Sequence, residues 1–146
     1  MAVRACTPSD IPRIMELIKD LAAYELQALA VVNSVEELTL DLFVEKRCFA
    51  IVYESENLIK GFALYYFGYS TWKGRTLYLE DIFVEEVYRN EGIGQKLFEA
   101  VVEVAKTEKV RRMDWQVLEW NEPALQFYVK NNASLDNEWV NGRLYF

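Results

Sequence analysis

Residues 88–94, with the sequence Tyr-Arg-Asn-Glu-Gly-Ile-Gly, follow an apolar strand-like stretch and precede a stretch of helical periodicity. The first N–H groups of a helix have no partner inside it, and that end of the helix carries a partial positive charge. Glycine lets a large anion approach the backbone because no Cβ stands in the way. The turn therefore predicts a phosphate site built from backbone N–H groups.

This turn matches neither of two common phosphate motifs. It lacks the third glycine of the dinucleotide fingerprint, and it lacks the lysine and hydroxyl residue that end a P-loop. What remains is Arg-x-x-Gly-x-Gly from Arg89 to Gly94, between a strand and a helix. That pattern resembles the pyrophosphate loop of the GNAT N-acetyltransferases, which hold coenzyme A.

Composition predicts one domain over residues 1–146, because a chain of 146 residues that is 52% apolar can fill a core. The net charge of −7 argues against a nucleic-acid partner, which would need a basic surface stripe. A cationic ligand suits this balance better, although an acidic chain can also simply gain solubility.

The chain contains no histidine, which excludes Ser–His and Cys–His nucleophile pairs. Proton transfer would then use a carboxylate, tyrosine, lysine, thiol or water. Cys6 and Cys48 have no zinc-site spacing and are too few for a disulfide scaffold, so no metal is expected. No leader-like or membrane-spanning run is visible, and we expect a cytoplasmic protein without membrane contact.

Periodicity predicts an α/β fold. Helical spacing follows the N-terminal signals at residues 7–10, 34–37, 92–94 and 121–123. Strand-like runs cover residues 3–6, 48–53, 59–69, 76–84 and 112–118, with two short strands within 135–146. Hairpins imply antiparallel pairing and the strand–helix–strand order implies parallel pairing. We therefore expect a mixed, mostly antiparallel sheet flanked by about four helices.

Two adjacent carboxylates, Glu80 and Asp81, interrupt the apolar strand before the turn. Simple alternation would place them on opposite faces. Because a buried acid without partners is costly, they must be hydrogen-bonded, exposed in a cleft or functional. One acid at the sheet edge and one bonded to backbone would satisfy the residues taken alone. Next to a phosphate site, an acid here could take a proton from an ammonium substrate.

Four motifs in order give the resemblance more detail. They look like those of the spermidine/spermine N-acetyltransferases and their close relatives, from about Arg4 to the end of the chain. The motifs cover residues 61–67, 78–81, 88–94 and 119–128.

The resemblance implies acetyl-CoA as cofactor and a set of residues that bind it. Strand backbone would bind the pantetheine arm, the loop would bind the pyrophosphate, and the start of the last helix would contact the cofactor from another side. Tyr128 would protonate the departing thiolate, and Glu80 would accept the proton of the amine. Core packing would explain Phe127-Tyr128 equally well without the resemblance, and Arg89 could contact the anion or be a solvated helix-start residue. The implied cofactor residues are Ile82, Phe83, Val84, Arg89, Asn90, Glu91, Gly92, Ile93, Gly94, Gln95, Asn121, Glu122, Pro123 and Ala124.

The same resemblance implies a homodimer and an acceptor site for a small amine. Ser70 stands where polyamine-selective members carry an acid, and Ser70-Thr71-Trp72 looks more like the branch that acts on thialysine-type amino acids. The acceptor residues are Tyr24, Glu25, Trp72, Glu80, Asp81, Asp114, Trp115 and Gln116.

The expected reaction is direct attack of a neutral amine of a diamine, polyamine or lysine-like amino acid on the acetyl thioester. A protein lysine or N-terminus is an alternative acceptor, which would need an open peptide groove. A non-catalytic acyl-CoA-binding domain is an alternative from another class. An interaction protein without cofactor is least favoured, because it gives the strand–turn–helix arrangement no purpose.

Overall fold

The computed structural model describes residues 2–146, and the chain divides into two compact units, Met1–Trp115 and Gln116–Phe146. The first unit contains a sheet of five strands in the order β1-β2-β3-β4-β5, antiparallel except for the last pair. The strands are β1 (Val3–Ala5), β2 (Phe49–Ser55), β3 (Leu58–Ser70), β4 (Gly74–Val84) and β5 (Arg112–Asp114). The helices are α1 (Ile11–Tyr24), α2 (Val35–Phe43), α3 (Ile93–Thr107) and, in the second unit, α4 (Glu122–Lys130). The predicted mixed α/β fold is confirmed.

Local sequence sets where these helices begin. The Ser34 hydroxyl accepts a hydrogen bond from the Glu37 N–H at 3.1 Å and caps α2. A 3₁₀ turn at Pro8–Asp10 leads into α1, and the Asp10 carboxylate accepts the Thr7 N–H at 2.7 Å. The helix α3 differs, because its N-cap is Gly92 and offers no side chain. The signals read from the sequence therefore position three helix starts, and one of those starts is left open to a ligand.

The two faces of the sheet carry different helices. Buried residues of α1 and α2 pack with Val52, Phe62 and Phe83 in one core. The helix α3 lies on the other face. A Cβ at Gly61, the neighbour of Phe62 on β3, would come within 3.2 Å of the fully buried Leu97 of α3. The turn between β4 and α3 thus leads from the sheet to the helix on its other face, opposite α1 and α2.

Two β-bulges interrupt the register of the sheet. Tyr53 pairs with Gly61 and the next pair joins residues 54 and 59, so Lys60 is an extra residue of β3. In the same way Leu64 pairs with Asp81 and the next pair joins residues 65 and 79, so Glu80 is an extra residue of β4. A bulge bends a strand and changes where its side chains point. The predicted simple alternation at Glu80 and Asp81 is therefore wrong.

The parallel pair between β4 and β5 is short. It joins Thr76–Tyr78 to Arg112–Asp114, and β5 ends there. The predicted strand to residue 118 is therefore too long. Within residues 2–115, β4 has no strand partner on its β5 side from Leu79 to Val84. Its N–H and C=O groups on that side are placed to pair with an extended ligand.

The second unit contains α4 and an irregular C-terminal segment. Asn121 caps α4, with its side-chain oxygen 3.4 Å from the Ala124 N–H. The two short strands predicted within residues 135–146 are wrong, since the described residues 133–146 contain no strand. Trp139 and Tyr145 are 84% and 88% exposed, so these aromatic side chains bury little apolar area here. A hairpin that has no hydrophobic surface to pack against is only marginally stable. The sequence pattern does not show whether such a surface is present.

Candidate active site

A cluster of acids forms where α1 ends next to β4. Burial, then the negative charges of Glu80 and Glu25, raises the pKa of Asp81 to about 7. Burial and the charge of Glu80 also raise the pKa of Glu25. These three predicted acceptor residues are therefore brought together by the fold. Carboxylates that repel one another in a partly buried place would gain from binding a cation.

Two tyrosines, one on β3 and one on β4, lie beside this acid cluster. Tyr66 of β3 and Tyr78 of β4 are cross-strand partners with ring centroids 5.2 Å apart. Burial and the nearby charge of Glu80 raise the pKa of Tyr78 to about 12, and the same two causes raise the pKa of Tyr66. Both phenols therefore stay neutral at physiological pH and can donate or accept hydrogen bonds beside Glu80. Neither tyrosine was predicted as a site residue, although both lie within the motifs at residues 61–67 and 78–81.

The acid cluster has the features of a site for an organic cation. No group of three or more ligating side chains that could hold a metal occurs among residues 2–146. Aromatic faces and carboxylates together suit an alkylammonium ion, which gains both charge pairing and cation–π contact. Asp81 in its protonated form can also donate a hydrogen bond, and it can accept a proton near neutral pH.

The predicted phosphate turn has the backbone geometry that an anion site needs. Asn90 and Gly92 adopt left-handed conformations with φ of 68° and 78°. Gly92 is the N-cap of α3 and makes no side-chain cap, so it leaves room at the first turn of the helix. At Gly94 an added Cβ would stand 3.8 Å from Val84. Asn90 and Glu91 are exposed, whereas Ile93 is buried and fixes the first turn to the core.

Arg89 connects this turn to the acid cluster. Its Nε donates to the Val84 carbonyl at 3.0 Å, at the end of β4. The guanidinium lies 5.0 Å from the Tyr24 ring centroid and 5.2 Å from that of Phe83. Tyr24 is the last residue of α1 and precedes Glu25. The sequence left open whether Arg89 contacts an anion or solvent, and the structure places it against the strand end and these two rings.

The residues implied for coenzyme A fit such a ligand in this unit. The backbone of Ile82, Phe83 and Val84 lies in the part of β4 that has no partner on its β5 side within residues 2–115. The open N-terminus of α3 follows a few residues later. An extended arm with amide groups followed by a diphosphate would match a strand edge followed by a helix start.

Three other predicted acceptor residues lie in the first unit, and one of them borders the acid cluster. Asp114 is the cross-strand partner of Tyr78, and its charge contributes to the raised pKa of Tyr78. Asp114 is paired with Arg112 at 2.8 Å. Trp115 packs edge-on against Phe98 of α3, with centroids 5.6 Å apart. Trp72 is 90% exposed in the turn before β4, about 20 Å along that strand from Glu80 at the usual rise per residue. One chain therefore does not bring Trp72 to the acid cluster.

The predicted residues of the second unit lie in and at the start of α4, apart from Gln116. Asn121 is its N-cap, and Pro123 occupies the first turn where its missing N–H costs nothing. Tyr128 is buried, with 6% exposure, and its ring lies 5.3 Å from that of Phe127. Gln116 donates from Nε2 to the Asn141 side-chain oxygen at 2.6 Å.

A separate cavity of about 590 Å³ lies on the α3 face of the sheet. It is lined by aromatic residues of β2 and β3, by Arg75 and by the C-terminal half of α3, and none of the predicted site residues contributes to it.

Within the described residues, no helix is both long and apolar enough to cross a membrane.

Comparison with known proteins agrees with this fold. The family model described as Acetyltransferase (GNAT) family matches residues 14–132. The thialysine N-epsilon-acetyltransferase of Bos taurus is 38% identical over 135 residues, which cover 86% of this chain and 79% of that protein. The spermidine/spermine N(1)-acetyltransferase-like protein 1 of Homo sapiens is 32% identical over 139 residues, covering 90% of this chain and 20% of that one.

A solved structure shows the same fold at low identity. It is an aminoglycoside acetyltransferase from an uncultured soil metagenomic sample, determined in complex with trehalose. The TM-score is 0.80 with 20% sequence identity, over 99% of this chain and 95% of that one. At this identity the likeness supports the fold alone.

Proposed function

Because this chain belongs to the GNAT acetyltransferase family, we propose that its acid cluster binds the ammonium group of the acceptor and that Tyr128 protonates the leaving thiolate. The protein is an acetyl-CoA-dependent N-acetyltransferase that acts on small amines. The proposal concerns which residues do this and which amines fit. The observation that carries it is the group of Glu25, Glu80 and Asp81, of which the last two lie on the strand that leads into the phosphate turn.

The acceptor is proposed to be a small cation such as a diamine, a polyamine or a lysine-like amino acid. A carboxylate cluster would hold its ammonium group, and the faces of Tyr66 and Tyr78 would contact its methylene chain. Relatives named for thialysine and for spermidine or spermine fit this class of acceptor. Ser70 in place of an acid favours the lysine-like branch within it.

The amine must lose a proton before it attacks. Glu80 is exposed at the bulge of β4, so it can pass that proton to water. Asp81, with a pKa of about 7, is poised to take up a proton at neutral pH and is a second group for the same relay. Holding amine and thioester together would supply most of the remaining rate enhancement.

The acyl donor is acetyl-CoA, which supplies the activated acetyl group when bound. The backbone of Ile82–Val84 would hold its extended arm, and the turn from Asn90 to Gln95 would hold its diphosphate. Tyr128 is suited to give a proton to a thiolate because phenol and thiol differ little in pKa. Residues 121–124 at the start of α4 would add contacts to the same ligand.

A coupled assay of thiol release tests the proposal. Acetyl-CoA is combined with putrescine, spermidine, lysine, thialysine or a lysine peptide, and kcat/KM is compared. We expect the small cations to exceed the peptide, and the lysine-like acceptors to exceed the polyamines. A faster reaction with the peptide would refute the small-amine acceptor.

The role of Tyr128 is tested by Tyr128→Phe. Loss of general acid catalysis should lower kcat by about 100-fold or more, while KM for acetyl-CoA changes little because the ring remains. Tyr145→Phe is the matched control, since Tyr145 lies in the same unit and is 88% exposed. An unchanged kcat for Tyr128→Phe would remove it from this role.

The homodimer and the cytoplasmic location stay predictions from the sequence.

A further inference from the structure

Lys60 is an unusually buried lysine, with 7% exposure. Lysine is among the residues least often buried unless it is paired. Its ion-pair partner is Glu56, with Nζ 3.4 Å from Oε1, yet the Glu56 side chain is 80% exposed. A weak pair with a solvated carboxylate does not account for burying an ammonium group.

The bulge in β3 determines where this side chain goes. Lys60 is the extra residue opposite β2, so it leaves the ordinary alternation of the strand. Its Nζ lies 4.7 Å from the centroid of the Tyr88 ring. Tyr88 ends the 3₁₀ turn Glu86–Tyr88 that leads directly into residues 89–92. The buried cation therefore contacts the base of the phosphate turn.

Hydrogen bonds and an ion pair also hold the start of this segment, at Glu85. The Glu85 N–H donates to the Lys60 carbonyl at 2.9 Å. The Glu85 carboxylate pairs with Arg13 Nη2 at 3.1 Å, and Arg13 Nε donates to the Ile59 carbonyl at 3.1 Å. Residues 59 and 60 of β3 thus hold the start of the turn through Glu85, and Lys60 holds its end through Tyr88.

We propose that Lys60 is a positioning residue for the diphosphate of the acyl donor, acting through the Tyr88 ring. This inference rests on the proposed function, because it takes the turn after Tyr88 as the diphosphate site. Lys60 fixes the 3₁₀ turn before the donor binds, so that the backbone N–H groups that follow are already aimed at the anion. Fixing a loop in its bound form improves affinity by reducing the ordering that binding requires.

The test compares two acyl donors, since acetyl-pantetheine lacks the diphosphate that acetyl-CoA carries. Lys60→Met keeps the length of the side chain and removes the cation. We expect it to raise KM and Kd for acetyl-CoA by about 3- to 10-fold, the range of a partly buried cation–π contact. We expect kcat to change less than 2-fold, and kcat/KM for acetyl-pantetheine to stay the same.

Four further variants give the controls. Lys60→Arg keeps a cation over the ring and should recover most of the affinity for acetyl-CoA. Tyr88→Leu should behave like Lys60→Met, and the double variant should add little to either single change. Lys19→Met, at an exposed lysine of α1, should leave both donors unaffected.

Each outcome decides a different claim. Equal losses with both donors, or a fall in kcat alone, would overturn the positioning role and leave Lys60 as a structural residue. Unchanged affinity for acetyl-CoA would overturn it as well. If Lys60→Met does not fold, Tyr88→Leu carries the same comparison between the two donors. If isothermal titration calorimetry detects no binding of acetyl-CoA to the unmutated protein, the proposed diphosphate site fails instead.

Discussion

Replacing Asp81 by Asn should stabilise the protein without ligand. The carboxyl group has a pKa of about 7 in the folded protein, against an ordinary value of 3.8. Burial and the charges of Glu80 and Glu25 raise it, so the folded state disfavours the ionised form. At a pH above both values that difference corresponds to about 4 kcal/mol of lost stability. Since Asp81 is only partly buried and its neighbours can relax, we expect a gain of about 2–4 kcal/mol for Asp81→Asn.

The sign of the pH dependence follows from the same values. When the pH is well below 3.8, the carboxyl group is protonated in both states and costs nothing. Between about pH 4 and pH 7 it ionises in the unfolded chain but keeps its proton in the fold, so the free energy of unfolding falls as the pH rises. The advantage of Asp81→Asn should therefore be about 1 kcal/mol or less at pH 4.5 and reach its full size by pH 8.

Urea denaturation followed by tryptophan fluorescence at these two pH values measures the difference. Asp20→Asn, at an exposed acid of α1, is the matched control and should give the same small difference at both pH values. A variant that is less stable than the parent at pH 8, or an advantage independent of pH, would refute the account of the acid cluster. The same variant should bind the acceptor amine more weakly, because one of the charges that hold the ammonium group is lost.

Two further substitutions test the fold around the site. Gly61→Ala should lower stability by about 1–3 kcal/mol, because its Cβ would stand 2.8 Å from the Phe83 carbonyl oxygen; Gly142→Ala, with nothing within 4 Å, is the control, and equal melting temperatures would contradict the close packing. Arg4→Met should cost about 3 kcal/mol at pH 7, because it strands the buried Asp10 that Arg4 holds at 2.7 and 3.1 Å. Arg4 lowers the pKa of Asp10, so this loss should shrink as the pH falls below 3.8, and urea titrations at pH 7 and 3.5 that give equal losses would speak against it.

The sequence predicted those parts of the fold that depend on local signals. The cap at Ser34, the glycine turn at Gly92 and the apolar periodicity of the helices are all local, and each agrees with the structure. The strand ends were predicted less well. The prediction carried β5 to residue 118, although pairing with β4 stops at Asp114. A strand end depends on a partner strand, and a single stretch of sequence does not contain that information.

The acid cluster was only partly predictable. The positions of Glu80 and Asp81 before the turn indicated a functional strand, and the resemblance added Glu25. The sequence does not reveal a bulge, because one extra residue in a strand leaves no signature that distinguishes it from ordinary alternation. The tyrosine pair beside Glu80 was missed for this reason. Lys60 gave no signal either, since a lysine in a polar hairpin segment looks like an ordinary exposed charge.

The extra residue at position 80 makes the length of β4 as important as its composition. Because of it, Tyr78 and Asp81 are both cross-strand partners of residues two apart on β3, although they are themselves three apart in sequence. Deleting this single residue would remove the bulge and leave Asp81 on the same face as Tyr78, opposite Leu64, but it would take the Glu80 carboxylate out of the acid cluster. Strand transplants between this enzyme and its relatives should therefore conserve residue count before identity.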